Sequence, residues 1–179
     1  SLEPTPDGLL SILFQNTHKY GRFECELWCK EARVVCEHVI SNINSLTGTK
    51  ADAIHSKLYI SFPIPSIGND QLIKRTLNMT PRRGLLLFDT LRGALVISLG
   101  PGVDMERFVV FGRVVGHGLY QLHLFDEALV QNGGEPVYDV VIDRCLVTEC
   151  PFEVPLFSVP DPAGTVETKT LKTVKNVKN

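Results

Sequence analysis

The sequence predicts a mainly β domain, built as a closed antiparallel barrel or a sandwich and carrying two helices. Three observations carry this. Short strand-like runs recur along the chain, only two segments change to a helical period, and no regular alternation of strand and helix marks a parallel sheet. The 179 residues, 44% hydrophobic and 21% charged, suffice for one domain with its own core.

The elements follow in order. Ser11 to Gln15 is a short apolar run suited to a first strand. In RFECELW, after Gly21, Phe23, Cys25 and Leu27 alternate with Arg22, Glu24 and Glu26, the pattern of a strand with one buried face. From Lys30 to Leu46 the period changes. Ala32, Val35, Cys36, Val39, Ile40 and Ile43 form one stripe of an amphipathic helix that stops at Thr47-Gly48. KLYISFPIPSIG favours extended backbone, broken at Pro63. Gly84 to Asp89, Gly93 to Leu99 and Arg107 to Val115 are apolar runs of barrel-core type, the second closed by Pro101-Gly102. Gly116 to Leu129 sets Leu119, Leu122, Phe125 and Leu129 near one helical face, and Asn132-Gly133-Gly134 turns the chain into a long last strand, Val137 to Val147. Beyond Cys150, Pro151, Pro155, Pro160 and Pro162 argue against helix or internal strand, so this segment is expected to run over the surface. No internal repeat is visible.

Composition narrows the setting. No stretch approaches the roughly 18 apolar residues of a membrane span, and SLEPTPDG lacks the basic and apolar regions of a signal peptide, so a soluble chain is expected. Five cysteines, an odd number in a chain large enough to bury a core, favour a reducing compartment, nuclear or cytoplasmic. The net charge of −2 is uneven. Val166 to Asn179 holds four lysines against Glu167, or +3, which leaves 14 bases and 19 acids, or −5, upstream.

In order and wording the chain resembles a strongly divergent cyclophilin. GRFECELW with CKEARVVCEHVISNI is similar to the family's "GRIVFELF" strand and "PKTAENF" helix; RFVVFGRVVGHG is similar to "KHVVFGKVxxGM"; GLLL, ALVISLG and VYDVVIDRCLVTEC resemble "GxLSMA", "SQFFIT" and the closing "ITIxDCG". The likeness covers about residues 10 to 150. It implies a closed eight-stranded antiparallel barrel capped by two α-helices, and a relation to enzymes that rotate X-Pro bonds against a barrier of about 18 to 20 kcal/mol.

In the family an arginine polarises the proline amide, a Phe, Met and Leu pocket grips the ring, and Gln, Asn and His side chains place the backbone. Laid on this chain, the arginine of "SxFHRxIP" falls on Ile60, within Ser56 to Pro63, with Phe62 two positions on. The "FMxQGG" segment falls on Pro65, Ser66, Ile67 and Gly68. Ile97 stands near the second pocket phenylalanine, Phe108 takes the place of the histidine before "VVFG", and Val103 matches the loop tryptophan. The loop between Phe88 and Ala94 is much shorter than "ANxGxNTNGSQ". Catalysis of this kind rests on positioned side chains rather than on the barrel, so the resemblance predicts a fold without its chemistry, its vestigial groove lined by Ile60, Phe62, Gly68, Ile97 and Phe108.

Other constellations carry less. Cys25, Cys29, Cys36 and His38 have spacings that fit no common zinc knuckle, and the periods place Cys25 and Cys36 inward, so no metal is expected. There is no GxSxG elbow; His18, His38, His55, His117 and His123 are scattered; GPG at 100 to 102 and GHG at 116 to 118 are turn signals. No cofactor is called for.

The expected organisation is a flexible stretch over 1–10, a cyclophilin-like domain over 11–150, a Pro-rich surface extension over 151–165 and a disordered basic tail over 166–179. The expected function is that of an inactive, protein-binding pseudoenzyme, part of a larger protein or complex, with Phe152, Val154, Leu156 and Phe157 as the partner-binding residues. Two alternatives stand beside it. One is a weakly active isomerase whose arginine comes from Arg82, Arg83 or Arg92; the other is nucleic-acid association through Lys169, Lys172, Lys175 and Lys178 of the tail. Self-association through PFEVPLFSV is left open.

Overall fold

A computed structural model describes residues 3–16, 19–68, 73, 77–128, 130–160 and 166–171. Within them the chain runs β1 (Gly8–Asn16), β2 (Lys19–Leu27), α1 (Arg33–Ser41), α2 (Ile43–Leu46), β3 (Ala53–His55), β4 (Tyr59–Pro63), β5 (Leu85–Asp89) and β6 (Ala94–Ser98). It continues through β7 (Phe108–Val115), α3 (Gly118–Gln121), α4 (His123–Asp126), β8 (Val140–Glu149), β9 (Val154–Pro160) and β10 (Val166–Leu171). Eight strands form one antiparallel sheet in the order β3-β4-β6-β5-β7-β2-β1-β8. The sheet curls into a half-barrel. Its outer strands meet through the chain just before β3: Lys50 bridges to Val141, and the N–H of Ala51 donates to the carbonyl of Val140 at 2.8 Å. Closure of the expected eight-stranded antiparallel barrel is thus made by a short contact between edges.

The alternating strands behave as their sequence requires. Leu10, Ile12 and Phe14 of β1 face Cys25 and Phe23 of β2, and all five are buried in the interior with Leu27. The stripe of α1 is buried as Val35, Cys36, Val39 and Ile40. The expected helix of residues 30–46 starts later and breaks at Asn42. There the side-chain amide donates to the carbonyl of His38 at 2.8 Å, so that a short polar side chain competes with the helical backbone. Gly48, at φ +82°, ends the run in the left-handed region open to glycine.

Four further expectations are corrected. The helix placed over Gly116 to Leu129 is two single turns, α3 and α4, flanked by three-residue bonds such as Tyr120 N–H to His117 O; Leu129 lies outside the described residues. The last strand begins at Val140 rather than Val137, because residues 130–136 first close a turn in which Gly133 and Gly134 have φ of +92° and +89°. Residues 1–10 do not form a free lead-in, since Gly8–Leu10 belong to β1 and Glu3, Pro4 and Asp7 hold specific partners. Val166–Leu171, expected in a disordered tail, form β10 and pair with β9 of the extension in a two-stranded antiparallel ribbon. Pro155 and Pro160 are tolerated because such a ribbon has free edges. Residues 161–165 and 172–179, with Lys172, Lys175 and Lys178, lie outside the described residues.

Candidate functional site

The sheet between β4 and β7 is covered on both sides. Inward, Ile60, Phe62, Phe88, Leu95, Ile97, Val109 and Phe111 join the main core. Outward, a second cluster gathers Trp28, Tyr59, Leu85, Leu87, Ala94, Val96, Val103, Phe108 and Val110, with Leu77, Met79 and Met105 packed against it. On this outer face the strands also present Ser61, Ser98 and Asp89, the buried polar residues among those described.

Asp89 ends β5, and its side chain is fully buried. Its carboxylate accepts the backbone N–H groups of Leu91 (3.0 Å) and Arg92 (3.3 Å), Arg92 Nε (3.3 Å) and Arg107 Nη2 (3.1 Å). Burial pushes this carboxyl upward, but those hydrogen bonds outweigh it and hold it below its ordinary value. Arg92 also reaches Asp52 at 3.3 Å and Ser61 Oγ on β4 at 3.2 Å. Arg107 donates to Tyr59 Oη at 3.3 Å and lies over the rings of Tyr59 and Phe108, 5.7 and 5.2 Å from their centroids. Two guanidiniums thus converge on one buried carboxylate beside an aromatic pair 5.4 Å apart.

This geometry corrects the expected groove. Ile60 and Ile97 are directly paired neighbours, and with Phe62 they point into the interior with no exposed surface, so none of the three lines an outer site. The alternation of β4 turns Tyr59 and Ser61 outward instead. Phe108 does lie on the outer face, with Val103 beside it. Gly68 is exposed, with nothing within 4 Å of where a Cβ would stand. Of the three arginines named from sequence, only Arg92 reaches β4; Arg82 binds Glu3 and Arg83 binds Asp126. Arg107 was missed. Its signal was its place one residue before the outward Phe108 at the start of β7.

Phe152, expected at a partner surface, is buried in the main core, with Arg33 5.7 Å above its ring. Val154 and Phe157 lie on β9, paired with Leu171 and Lys169 of β10, and Leu156 stands between them. Cys25, Cys29, Cys36 and Cys150 are buried free thiols and Cys145 is half-buried. Burial raises the thiols of Cys25 and Cys36 and pushes that of Cys145 up to about 12, which keeps them protonated rather than nucleophilic. Among the described residues, no group of three or more His, Cys, Asp or Glu is placed to hold a metal ion. None of the helices there is long and apolar enough to cross a membrane. His38 shares a hydrogen bond with the carbonyl of Pro65, His55 packs on Tyr59, and His117 and His123 are exposed; His18 lies outside the described residues.

No family model and no curated protein matches the sequence. The fold does have solved counterparts. A cyclophilin-type peptidyl-prolyl cis-trans isomerase of Cryptosporidium parvum superposes with a TM-score of 0.61 at 14% identity, covering 82% of this chain and 100% of that one. The same enzyme in the presence of the dipeptide Ala-Pro gives 0.61 and 14%, covering 79% and 99%. The architecture is therefore cyclophilin-like, as the sequence resemblance implied.

Proposed function

We propose that this chain is a cyclophilin-like protein-binding module that does not catalyse prolyl rotation. The observation that carries the reading is the pairing of Arg92 and Arg107 with the buried Asp89 on the outer face of β4 and β7. Lowering a barrier of about 18 to 20 kcal/mol calls for a donor aimed at the proline amide over an apolar seat that stays open. Here both cations are directed at a carboxylate of their own chain. The apolar positions around them are covered by Leu77, Met79, Val103 and Met105. Protein binding in the nucleus or cytoplasm then falls to other surfaces. The β9–β10 ribbon is the first candidate, with Phe152 as its anchor in the core and Val154, Leu156 and Phe157 beyond it.

One observation favours a second reading, a weak isomerase: Arg107 is about one-third exposed and lies over two aromatic rings, so part of its guanidinium faces solvent beside an aromatic seat. A protease-coupled proline-peptide assay at high protein concentration separates the two. No acceleration is expected. Acceleration that disappears in Arg107→Ala would establish the second reading and overturn the first.

A further inference from the structure

Trp28 follows β2 directly. Because Leu27 points inward, the indole points out from the half-barrel, yet it has no exposed surface. It packs in the outer cluster, and the segment ahead of β1 reaches it through Pro4. The indole N–H donates to the carbonyl of Pro4 at 2.8 Å. Arg113 stacks over the ring, 5.5 Å from its centroid, anchored to Glu26 at 2.8 Å. The same guanidinium donates to Glu3 at 2.7 Å, and Arg82 takes the other oxygen of Glu3 at 2.6 Å. Four residues on, the Asp7 carboxylate accepts the backbone N–H groups of Cys29 (2.6 Å) and Lys30 (3.1 Å), while its own N–H donates to Leu27 O at 3.0 Å.

The segment is therefore gripped at both ends through acids and in the middle through a proline carbonyl. Glu3 to Pro6 lie ahead of the β1–β2 ladder, which starts at Gly8, so side chains from distant parts of the chain hold them rather than strand pairing. An aromatic N–H on the carbonyl of a proline-containing extended segment, flanked by charge selection, is a peptide-recognition mode.

We infer that Trp28, Arg82, Arg113 and the Cys29–Lys30 amides form a binding site for an extended acidic peptide of the pattern Glu-Pro-x-Pro-Asp. Residues 3–7 occupy it as an intramolecular ligand, and the same motif carried by another protein takes their place when they release. This site shares no residue with the Asp89 pairing, so the inference stands whichever way the isomerase assay falls.

The test uses the full chain carrying Glu3→Lys and Asp7→Asn, with Trp28, the sole tryptophan, as reporter. Its emission is expected to move to longer wavelength and its acrylamide quenching to rise, with an unchanged far-ultraviolet dichroism spectrum. A synthetic copy of residues 2–8 should restore protection saturably; the same peptide with lysine in place of its glutamate should not. The wild-type chain should need at least about tenfold more peptide, because a tethered competitor acts at an effective concentration in the millimolar range. If the double variant loses its fold, Glu3→Gln alone must show the same changes in smaller degree. Unchanged quenching in the folded variant, or exposed Trp28 that the peptide does not protect again, overturns the inference.

Discussion

The two faces of β4, β6, β5 and β7 are both buried, but by different means. The inner face is wholly apolar and faces the interior of its own half-barrel, so Ile60, Phe62, Phe88 and Ile97 need no partner beyond shape. The outer face is closed by loop residues such as Met79, Val103 and Met105, and it holds Ser61, Ser98 and Asp89. Each of these makes a hydrogen bond: Ser98 Oγ accepts the backbone N–H of Leu85 at 2.8 Å, Ser61 Oγ accepts from Arg92 Nη2, and Asp89 binds both arginines. A sheet face covered by connecting segments can keep polar groups that a barrel interior excludes, because backbone groups and arginines of those segments reach them.

This contrast can be broken most severely from within. Val39→Asp places a charge against the fully buried inner core, costing several kcal/mol, of the order of a small domain's stability, and should abolish the cooperative melting transition. Retention of a native melting curve would show that α1 does not seal that core. A matched pair sharpens the comparison. Phe62→Ala inside should cost about 3 to 5 kcal/mol in urea denaturation, and Phe108→Ala outside should cost as much if loop cover packs as densely as the interior. A clearly smaller value for Phe108→Ala would identify the outer cover as loose and open to a ligand.

Asp89→Asn addresses the polar side of the contrast. It leaves two guanidiniums without their shared anion, at about 2 to 3 kcal/mol. That is less than for a fully buried pair because Arg92 and Arg107 are partly exposed. Chemical denaturation should show the loss without a change in far-ultraviolet dichroism. The smallest effect is that of pH. Burial raises the carboxyls of Asp89, Glu3 and Asp126, but their arginine partners and, for Asp89 and Asp126, backbone N–H groups outweigh it and lower all three. Groups lowered in the folded state contribute stability that is complete above their ordinary values of 3.8 to 4.5 and lost as pH falls through the depressed ones. The melting temperature should therefore hold from neutrality to about pH 5 and then decline. A melting temperature that rises on acidification would contradict these ion pairs.

The same contrast explains what could be read in advance. RFECELW alternates because β2 has one buried face, and VVCEHVI keeps a helical stripe because α1 buries one side; both periods are local and were legible. LLLF and ALVIS are continuous because both faces are buried, so nothing in them distinguishes inward from outward. β4 is likewise buried on both faces, so laying the family motif on Ser56 to Pro63 put Ile60 at the arginine's place with no alternation to show that it points inward. A one-residue difference in register moves every side chain to the other face.

What the sequence determined by itself was periodicity, a core large enough for one domain, and a likeness sufficient to give the cyclophilin-like architecture, since these rest on neighbouring residues and overall composition. Which side of β4 carries chemistry, that Arg107 and Arg92 meet at Asp89, and that Glu3 joins Arg113 over Trp28 were decided by the tertiary structure. Each depends on strand register and on residues up to 110 positions apart, and these are fixed only when the sheet curls and its second face is covered.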